Sequence, residues 1–303
     1  MNKSTRNLLM VFVLLVAVVY VFFSRKEKIS TQNIEEKLFE ADSSKIEKIE
    51  IIKTNESITL EKIGGNWMVT KPINYPADTN AVTPILSNLK NFKIESEYSS
   101  NPANYSNYLD SVNNTRVNVY QEGKQIGSFT LGKAALSADN SYIQTDTGKE
   151  ILLASKLGAN NFTKPLKDFR NKLIFSIQSF LINKITFKSD DSLKYEFTME
   201  KDTSGRWFIG GDSIPQNNSE GFLNLMANFN TEDFKDTVIT AFSSPAYTVT
   251  LIGQQTTEIN FYKQNTSPLK YIVQVSNNKQ LFEMSDGFAK MVMKTRKDFI
   301  PNL

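Results

Sequence analysis

The side chains available for chemistry are carboxylates, Lys, Tyr, Ser and Thr, because the chain contains no His and no Cys. These absences exclude Ser-His-Asp and Cys-His nucleophiles, His-ligated zinc or haem, iron–sulfur clusters and dithiol redox pairs. Asp favours helix caps and turns, so Asp78 is interpreted as a helix cap and Asp139-Asn140 as a turn. Asp146, Asp168 and Asp298 are the other carboxylates worth testing for acid–base work. We therefore predict no catalytic residue, no cofactor, no metal site and no enzymatic activity.

Two groups of residues are candidates for an interaction surface instead. One is the charged strip Lys167, Asp168 and Arg170, which is mirrored at Lys297-Asp298-Phe299. The strip could dock a partner, or it could be the solvated edge of a repeat. The other is a Tyr-rich segment, in which Tyr105 and Tyr108 with Tyr98 could contact a glycan or a lipid.

Composition predicts two folded domains. The chain has 303 residues, and such chains divide into units of roughly 100 to 150 residues. Hydrophobic residues make up 40% and charged residues 22%, which is enough apolar surface for packed cores. The net charge of +3 gives no concentrated basic face, so we predict no nucleic-acid partner.

The segment from Leu8 to Phe23 carries no charge and predicts one transmembrane helix. The alternative is a cleaved signal peptide, but Tyr20 to Phe23 is too bulky for a small-x-small cleavage site. Basic residues flank both ends, so charge bias leaves the orientation open. A short basic tail before a long folded region favours a signal anchor. We predict a single-pass bacterial inner-membrane protein with its C-terminal region in the periplasm.

An internal repeat organises the rest of the chain. The two Trp residues follow Gly turns, at Gly65-Asn66-Trp67 and Gly205-Arg206-Trp207, and are interpreted as core residues or as exposed stacking platforms. Further ordered matches are Ile49 and Ile51 with Ile185 and Phe187; Val82, Ile85, Leu86 and Leu89 with Phe222, Leu225, Met226 and Phe229; Val117-Asn118-Val119 with Tyr247-Thr248-Val249; Tyr142-Ile143 with Tyr271-Ile272; and Lys167-Asp168-Phe169 with Lys297-Asp298-Phe299.

These matches predict an α+β chain of two repeated units, each an antiparallel sheet with one main helix. The predicted divisions are 1–24 for tail and anchor, 25–45 for a juxtamembrane spacer, 46–170 for the first repeat and 171–303 for the second. The spacer is expected to hold one short amphipathic helix with Ile34, Leu38 and Phe39 on one face. In the first main helix, Pro84 leaves two starts open: near Pro84 itself, or earlier with Asp78 as cap.

A family resemblance follows from several of these residues. Trp67, Pro76-Ala77-Asp78, Leu131-Gly132, Tyr142-Ile143 and Phe169-Arg170-Asn171-Lys172, in this order after an N-terminal anchor, resemble the bacterial domain of unknown function 4340 over residues 46–230. The resemblance carries no catalytic residues. It implies an accessory role beside an ABC-type exporter permease and a gliding-motility-type auxiliary subunit.

Three functions are therefore open. The first is a membrane-anchored, non-enzymatic accessory or scaffold protein whose partners are transporter permease or auxiliary subunits. The second is an extracytoplasmic glycan- or lipid-binding module that uses the tyrosines. The third is a carboxylate hydrolase, which would need two converging buried acids.

Overall fold

The computed structural model describes residues 14–17, 37–110, 114–146, 150–190, 194–239 and 241–301. The chain divides into two compact units, Met1–Asn171 and Lys172–Leu303, called unit 1 and unit 2. The predicted anchor helix lies outside the described residues except for 14–17. Within the described part of the chain, no helix is long and apolar enough to cross a membrane.

The described residues of unit 1 from 37 onward form one nine-stranded antiparallel sheet, one long α-helix and one short α-helix. Its elements are β1 Ile46–Ile52, β2 Ser57–Ile63, β3 Asn66–Lys71, β4 Tyr75–Pro76, α1 Thr79–Asn91, β5 Lys93–Ser99, α2 Tyr105–Tyr108, β6 Thr115–Gln121, β7 Lys124–Ala134, β8 Ser141–Thr145 and β9 Ile151–Ser155.

The part of unit 2 that the structure describes forms a second nine-stranded sheet, a separate two-stranded sheet and three α-helices. Its elements are β10 Leu173–Ser176, β11 Lys184–Ser189, β12 Tyr195–Lys201, β13 Trp207–Ile209, β14 Asp212–Ser213, α3 Gln216–Ala227, β15 Asn228–Asn230, β16 Asp233–Lys235, β17 Tyr247–Ile252, β18 Thr256–Lys263, β19 Lys270–Val275, β20 Leu281–Ser285, α4 Asp286–Val292 and α5 Arg296–Phe299.

The two large sheets have equivalent strand orders. Unit 1 runs β4-β3-β2-β1-β6-β7-β8-β9-β5, and unit 2 runs β14-β13-β12-β11-β17-β18-β19-β20-β16. The long helix enters each unit after the fourth strand of the large sheet. The predicted α+β class, with mostly antiparallel sheets and few helices, is confirmed.

Strand alternation places one side of each sheet in a hydrophobic core. Ile49, Ile51, Val117 and Val119 of unit 1 are 0% exposed and belong to the same core cluster as α1. In unit 2, Ile185 and the neighbouring inward residues pack with α3. The opposite side of each sheet carries mainly polar side chains, as antiparallel sheets with one free face commonly do.

The β2–β3 hairpin confirms the predicted Gly turn. Gly64 and Gly65 have φ angles of +58° and +87°, which favour Gly because it lacks a Cβ. Directly after the turn, Trp67 is half-buried and packs against the unit 1 core, opposite Lys62. Trp207, opposite Lys201, is 5% exposed and lies in the unit 2 core. The interpretation of both Trp residues as core residues therefore holds fully only for Trp207.

The long helices begin differently. Asp78 caps α1, because its carboxylate accepts from the amide of Asn80 at 2.8 Å. The predicted cap is confirmed, and Pro84 lies inside the helix, so the earlier start is the correct alternative. The N-cap of α3 is Pro215, whose side chain has no atom that can accept a hydrogen bond.

The predicted overlay of the two helices is wrong by about one turn. It placed Phe229 on the second helix, whereas α3 ends at Ala227 and Phe229 lies in β15. When the first residues of the two helices, Thr79 and Gln216, are aligned, Phe92 is paired with Phe229. Each of these rings lies just beyond its helix and is at most 2% exposed. Apolar residues one turn apart look alike in a helical pattern, which explains the error.

Two overlays of strands are also shifted. Ile51 lies opposite Val117, and its equivalent Phe187 lies opposite Val249, so the predicted match of Val117 with Tyr247 is wrong by two residues. The match of Tyr142 with Tyr271 is wrong by one residue. Because a one-residue slip reverses the face, Tyr271 is 6% exposed in the core, whereas Tyr142 is on the opposite side of its sheet.

In each unit, a segment that comes before the first strand of the large sheet packs against the core: Leu38 and Phe39 in unit 1, and Phe175 in unit 2. In unit 1, Leu38 and Phe39 lie in a bend rather than in the predicted amphipathic helix, and they pack against the core. The predicted third residue of that helix, Ile34, lies outside the described residues. The Phe39 and Phe92 ring centroids are 5.4 Å apart, and those of Phe175 and Phe229 in unit 2 are 5.3 Å apart. Part of the predicted spacer therefore packs as part of unit 1.

Candidate functional site

The charged strip Lys167, Asp168 and Arg170 forms the closing turn of unit 1. Lys167 is exposed, Asp168 is half-buried, and Arg170 is only 1% exposed, with its guanidinium 4.5 Å from the ring centroid of Tyr75. The carbonyl of Phe169 accepts from the amide of Asp78 at 2.8 Å. This turn therefore holds the start of α1, and Arg170 is part of the packing rather than of an open docking strip.

The mirrored turn closes unit 2 in a related way. The side-chain amide of Asn218 in α3 donates to the carbonyl of Phe299 at 2.8 Å. The Phe299 ring is 1% exposed and packs against Phe187 and Phe222. Asp298 forms a capping box with Thr295, which accounts for its conspicuous position in the sequence.

Tyr108 belongs to an aromatic cluster, which we call the tyrosine cluster: Tyr98, Tyr108 and Tyr142. Their ring centroids are 4.9 to 5.8 Å apart in edge-to-face geometry, a favourable arrangement for aromatic pairs. All three side chains are half-buried. Burial, followed by the neighbouring Tyr98, raises the pKa of Tyr142. Tyr105 is not among these ring contacts, and its buried hydroxyl has no hydrogen-bond partner among the described residues.

Sequence reasoning assigned Tyr98 and Tyr108 to a ligand site but missed Tyr142, which joins them. Gly132 makes this approach feasible, because a Cβ there would lie 2.6 Å from the carbonyl oxygen of Tyr108 and 2.8 Å from that of Tyr142. Gly132 also lines a pocket of about 380 Å³, with Lys53, Asp110 and Lys133 on its walls. Gly132 thus links the backbone of two tyrosines to a mixed-charge pocket of unit 1, although none of the three tyrosine side chains lines that pocket.

A second constellation lies on the polar side of the unit 1 sheet, and we call it the Glu50 network: Lys48, Glu50, Arg116, Asn118, Tyr120, Ser128 and Asp146. Glu50 accepts from Asn118 at 3.0 Å and from Tyr120 at 2.9 Å, and Lys48 lies 3.2 Å from its other oxygen. The Lys48 ammonium also lies 3.7 Å from the Tyr120 ring centroid.

Arg116 extends this network to a second carboxylate. Its guanidinium donates to Asn118 at 3.2 Å and to Asp146 at 2.5 Å, and Ser128 also donates to Asp146. The two cations and two anions balance in charge. The network therefore links side chains from β1, β6 and β7 and the end of β8 into one polar surface.

Electrostatics keep Glu50 ionised. Burial by itself would raise the pKa of its carboxyl, but hydrogen bonds from Asn118, Tyr120 and Lys48 outweigh burial and lower that pKa. Burial and the bond to Glu50 raise the pKa of Tyr120. At neutral pH the carboxylate thus stays deprotonated and the phenol stays protonated. A general acid–base pair would instead need a pKa near the working pH.

A sequence model of the domain of unknown function 4340, abbreviated DUF4340, matches residues 67–257 of this chain. The match covers more than half of the chain. The chain belongs to the DUF4340 family. The resemblance proposed from sequence is confirmed, and the match runs from β3 of unit 1 to β18 of unit 2. No curated protein and no solved structure matches the chain significantly.

Two observations describe the other carboxylates of this DUF4340 protein. Asp139 lies in a turn, as predicted. Across the residues that the structure describes, no Asp or Glu side chain is buried, and no group of three Asp and Glu residues is placed to hold a metal ion. The converging buried acids that a carboxylate hydrolase would need are therefore not found in these ranges.

Proposed function

We propose that this DUF4340 protein is a membrane-anchored, non-enzymatic extracytoplasmic accessory or scaffold protein. In this proposal the apolar segment 8–23 anchors it in the bacterial inner membrane with both units in the periplasm. Its partners are the permease or auxiliary subunits of an ABC-type export or gliding-motility-like complex, as the family resemblance implies. The Glu50 network is the docking surface for these subunits.

The observation that carries this proposal is the internal satisfaction of the Glu50 network. Its hydrogen bonds hold polar side chains of several strands in one arrangement before any partner arrives. Preorganisation of this kind lowers the entropic cost of association, and fixed charges give specificity and register to an interface. The lowered pKa of Glu50 favours recognition over proton transfer.

Co-purification tests the proposed role. The full-length chain is tagged at its C-terminus and extracted from native membranes in mild detergent. We expect the tagged chain to bring down a permease and an ATPase. Recovery as a lone chain under these conditions, or as a free protein without its first two dozen residues, would contradict the proposal.

A charge-swap variant tests whether the Glu50 network is the docking surface. In Lys48→Glu/Glu50→Lys, the neighbouring ion pair keeps both charges but reverses their positions, so we expect a folded protein that loses its partners. Lys184→Glu/Glu200→Lys is the matched control, because that pair is exposed on the unit 2 sheet and joined at 2.7 Å. Equal recovery of partners by the two variants would rule out the Glu50 network as the docking surface.

The tyrosine cluster favours a second candidate function, an extracytoplasmic glycan- or lipid-binding module. Half-buried aromatic rings in edge-to-face contact suit a sugar ring or an acyl chain. Tyr142→Ile, which installs the residue found at the equivalent position of unit 2, should abolish binding in an oligosaccharide array or a vesicle co-sedimentation assay. If neither assay shows binding that depends on Tyr142, this candidate fails.

A further inference from the structure

Unit 2 contains a groove of about 630 Å³, within the size range of small-ligand sites. Its walls are the turn Ser179–Leu181, the β12–β13 hairpin and the first two turns of α3. Phe180, Lys201, Trp207 and Leu223 line it. Neither the charged strip nor the tyrosine cluster includes any of these residues.

Lys201 is a cation in the lining of this groove. Its ammonium donates to the carbonyl of Phe180 at 3.3 Å and lies 5.0 Å from the Trp207 ring centroid. No carboxylate of the described residues lies within ion-pair distance of it. Burial lowers the pKa of Lys201. A carboxylate entering the groove would supply the missing opposite charge.

The other charged side chains of the groove already have partners. Arg206 pairs with Asp202 at 3.1 Å, and Glu220 accepts from the side-chain amide of Gln216 at 2.5 Å. Glu220 keeps its negative charge because its partner is a neutral amide. Among the described residues, Lys201 is the lining cation without an ion pair, so the groove favours a single carboxylate placed at Lys201. A broadly anionic surface would meet Glu220 and be repelled by it.

The groove also presents apolar surface beside this cation. Phe180 is 69% exposed, which is unusual for a ring that size in a packed unit, whereas Leu223, which also lines the groove, is 7% exposed and belongs to the unit 2 core. An inorganic anion or a simple sugar would leave the Phe180 ring uncovered. An extended peptide in which an acid stands next to an apolar residue covers both features at once.

We propose that this groove binds an extended acidic peptide segment of a partner protein, with one Asp or Glu carboxylate on Lys201 and an adjacent apolar side chain against the exposed ring of Phe180. The site goes beyond the docking surface proposed above and does not depend on it. Unit 1 lacks an equivalent cation in a groove, because Lys62, the counterpart of Lys201 opposite Trp67, is exposed. Lys62 is therefore a built-in control.

Fluorescence of Trp207 provides the readout. The chain has two Trp residues, so Trp67→Phe leaves Trp207 as the only one. This protein is titrated with pooled heptapeptides in which Asp or Glu alternates with Phe, Leu or Val. A matched pool carries Asn or Gln at each acidic position. We expect a saturable change in emission with the acidic pool and none with the amide pool.

Variants connect the signal to the groove. Lys201→Gln should weaken binding by about tenfold or more, since a charge-assisted hydrogen bond is lost. Lys201→Arg should retain binding, which separates loss of charge from loss of fold, and the exposed Phe180→Ala should weaken binding without changing the thermal midpoint. Lys62→Gln should leave the affinity unchanged.

Several outcomes would overturn the proposal. They are the absence of a saturable response to the acidic pool, an equal response to the amide pool, or equal affinities of Lys201→Gln and the parent protein. Binding to vesicles of anionic phosphatidylglycerol with an affinity that Lys201→Gln does not alter, in place of peptide binding, would also overturn it. Peptide binding and co-purification of a transporter are separate measurements, so either can fail alone.

Discussion

Unit 1 and unit 2 share a strand order, but their polar sheet faces differ. Glu50 lies opposite Asn118 in unit 1, and the equivalent pair in unit 2 is Thr186 and Thr250. Glu50 lies in a network of ion pairs and hydrogen bonds. In unit 2, the hydroxyls of Thr186 and Thr198 form a neutral hydrogen bond at 3.2 Å. Inward positions are mostly apolar in both units. The fold therefore needs the inward residues, while the outward residues are free to differ and to carry separate roles.

The starts of the long helices show the same division. In unit 1, the side chain of Asp78 caps the helix, and the amide of Asp78 donates to the carbonyl of Phe169 in the closing turn. Unit 2 begins its helix at Pro215, on the wall of the groove that holds Lys201. The start of the long helix is capped by a side chain in unit 1, whereas in unit 2 it has no side-chain cap and lines a groove.

Core truncation gives the strongest test of equivalence between the units. Phe92→Ala and Phe229→Ala should each cost about 3 to 5 kcal/mol, because each removes a buried ring just beyond a long helix. Urea unfolding followed by hydrogen exchange of each unit measures the loss. Phe180→Ala, at an exposed ring, serves as the control. A large cost for only one of the two truncations would show that the helix ends are not equivalent.

Loss of the cap should have a smaller effect, confined to unit 1. Asp78→Ala should cost about 1 kcal/mol, since the amide of Asn80 loses its side-chain acceptor. Asp78→Asn should restore most of that loss, because Asn caps helices about as well as Asp. Hydrogen exchange at the first turn of α1 reports the effect. Equal protection in Asp78→Ala and the parent would mean that the closing turn alone holds the helix.

The smallest expected effect is a change in how far acid lowers the thermal midpoint of each unit. The folded-state pKa of Glu50 lies below its ordinary value of 4.5, so its contribution to stability is present above the unfolded-state pKa. That contribution is lost as the pH falls through the lowered folded-state pKa. Glu50→Gln should reduce the drop in the thermal midpoint of unit 1 between pH 6 and pH 3, in a titration series.

The matched control for acid sensitivity lies in unit 2. The pKa of Glu283 is also lowered: burial opposes the shift, and hydrogen bonds from Lys270 and Gln264 outweigh burial. Glu283→Gln should therefore flatten the acid response of unit 2 and leave that of unit 1 unchanged. The same acid response in Glu50→Gln and the parent would contradict the assigned role of the Glu50 network.

The sequence predicted those features that depend on local patterns. Gly64-Gly65 indicated a hairpin, Asp78 a cap and Trp207 a core position, because each depends on neighbouring residues or on simple periodicity. Overlaying the two halves was less accurate. Tyr142 and Tyr271 share a residue type, but strand alternation places them on opposite faces.

The candidate sites were harder to predict because they depend on distant pairing. Glu50 meets Asn118 and Tyr120 only through the β1–β6 register, and no local spacing signals that contact. Tyr142 contacts Tyr98 and Tyr108 only because the fold brings these three residues together. Alternation with the apolar Ile143 could have marked Tyr142 as outward-facing. Arg170 looked like a surface charge in sequence but is buried at the closing turn.

The packing of Leu38 and Phe39 on unit 1 sets a geometric limit on the proposed membrane-bound form. Between Phe23, the last apolar residue of the anchor, and Leu38 the chain has 14 residues. Even a fully extended chain of that length spans only about 50 Å. In the proposed membrane-bound form, unit 1 would therefore lie within about 50 Å of the bilayer surface. A subunit that docks on its polar face would then have to be embedded in the membrane or project only a short way from it.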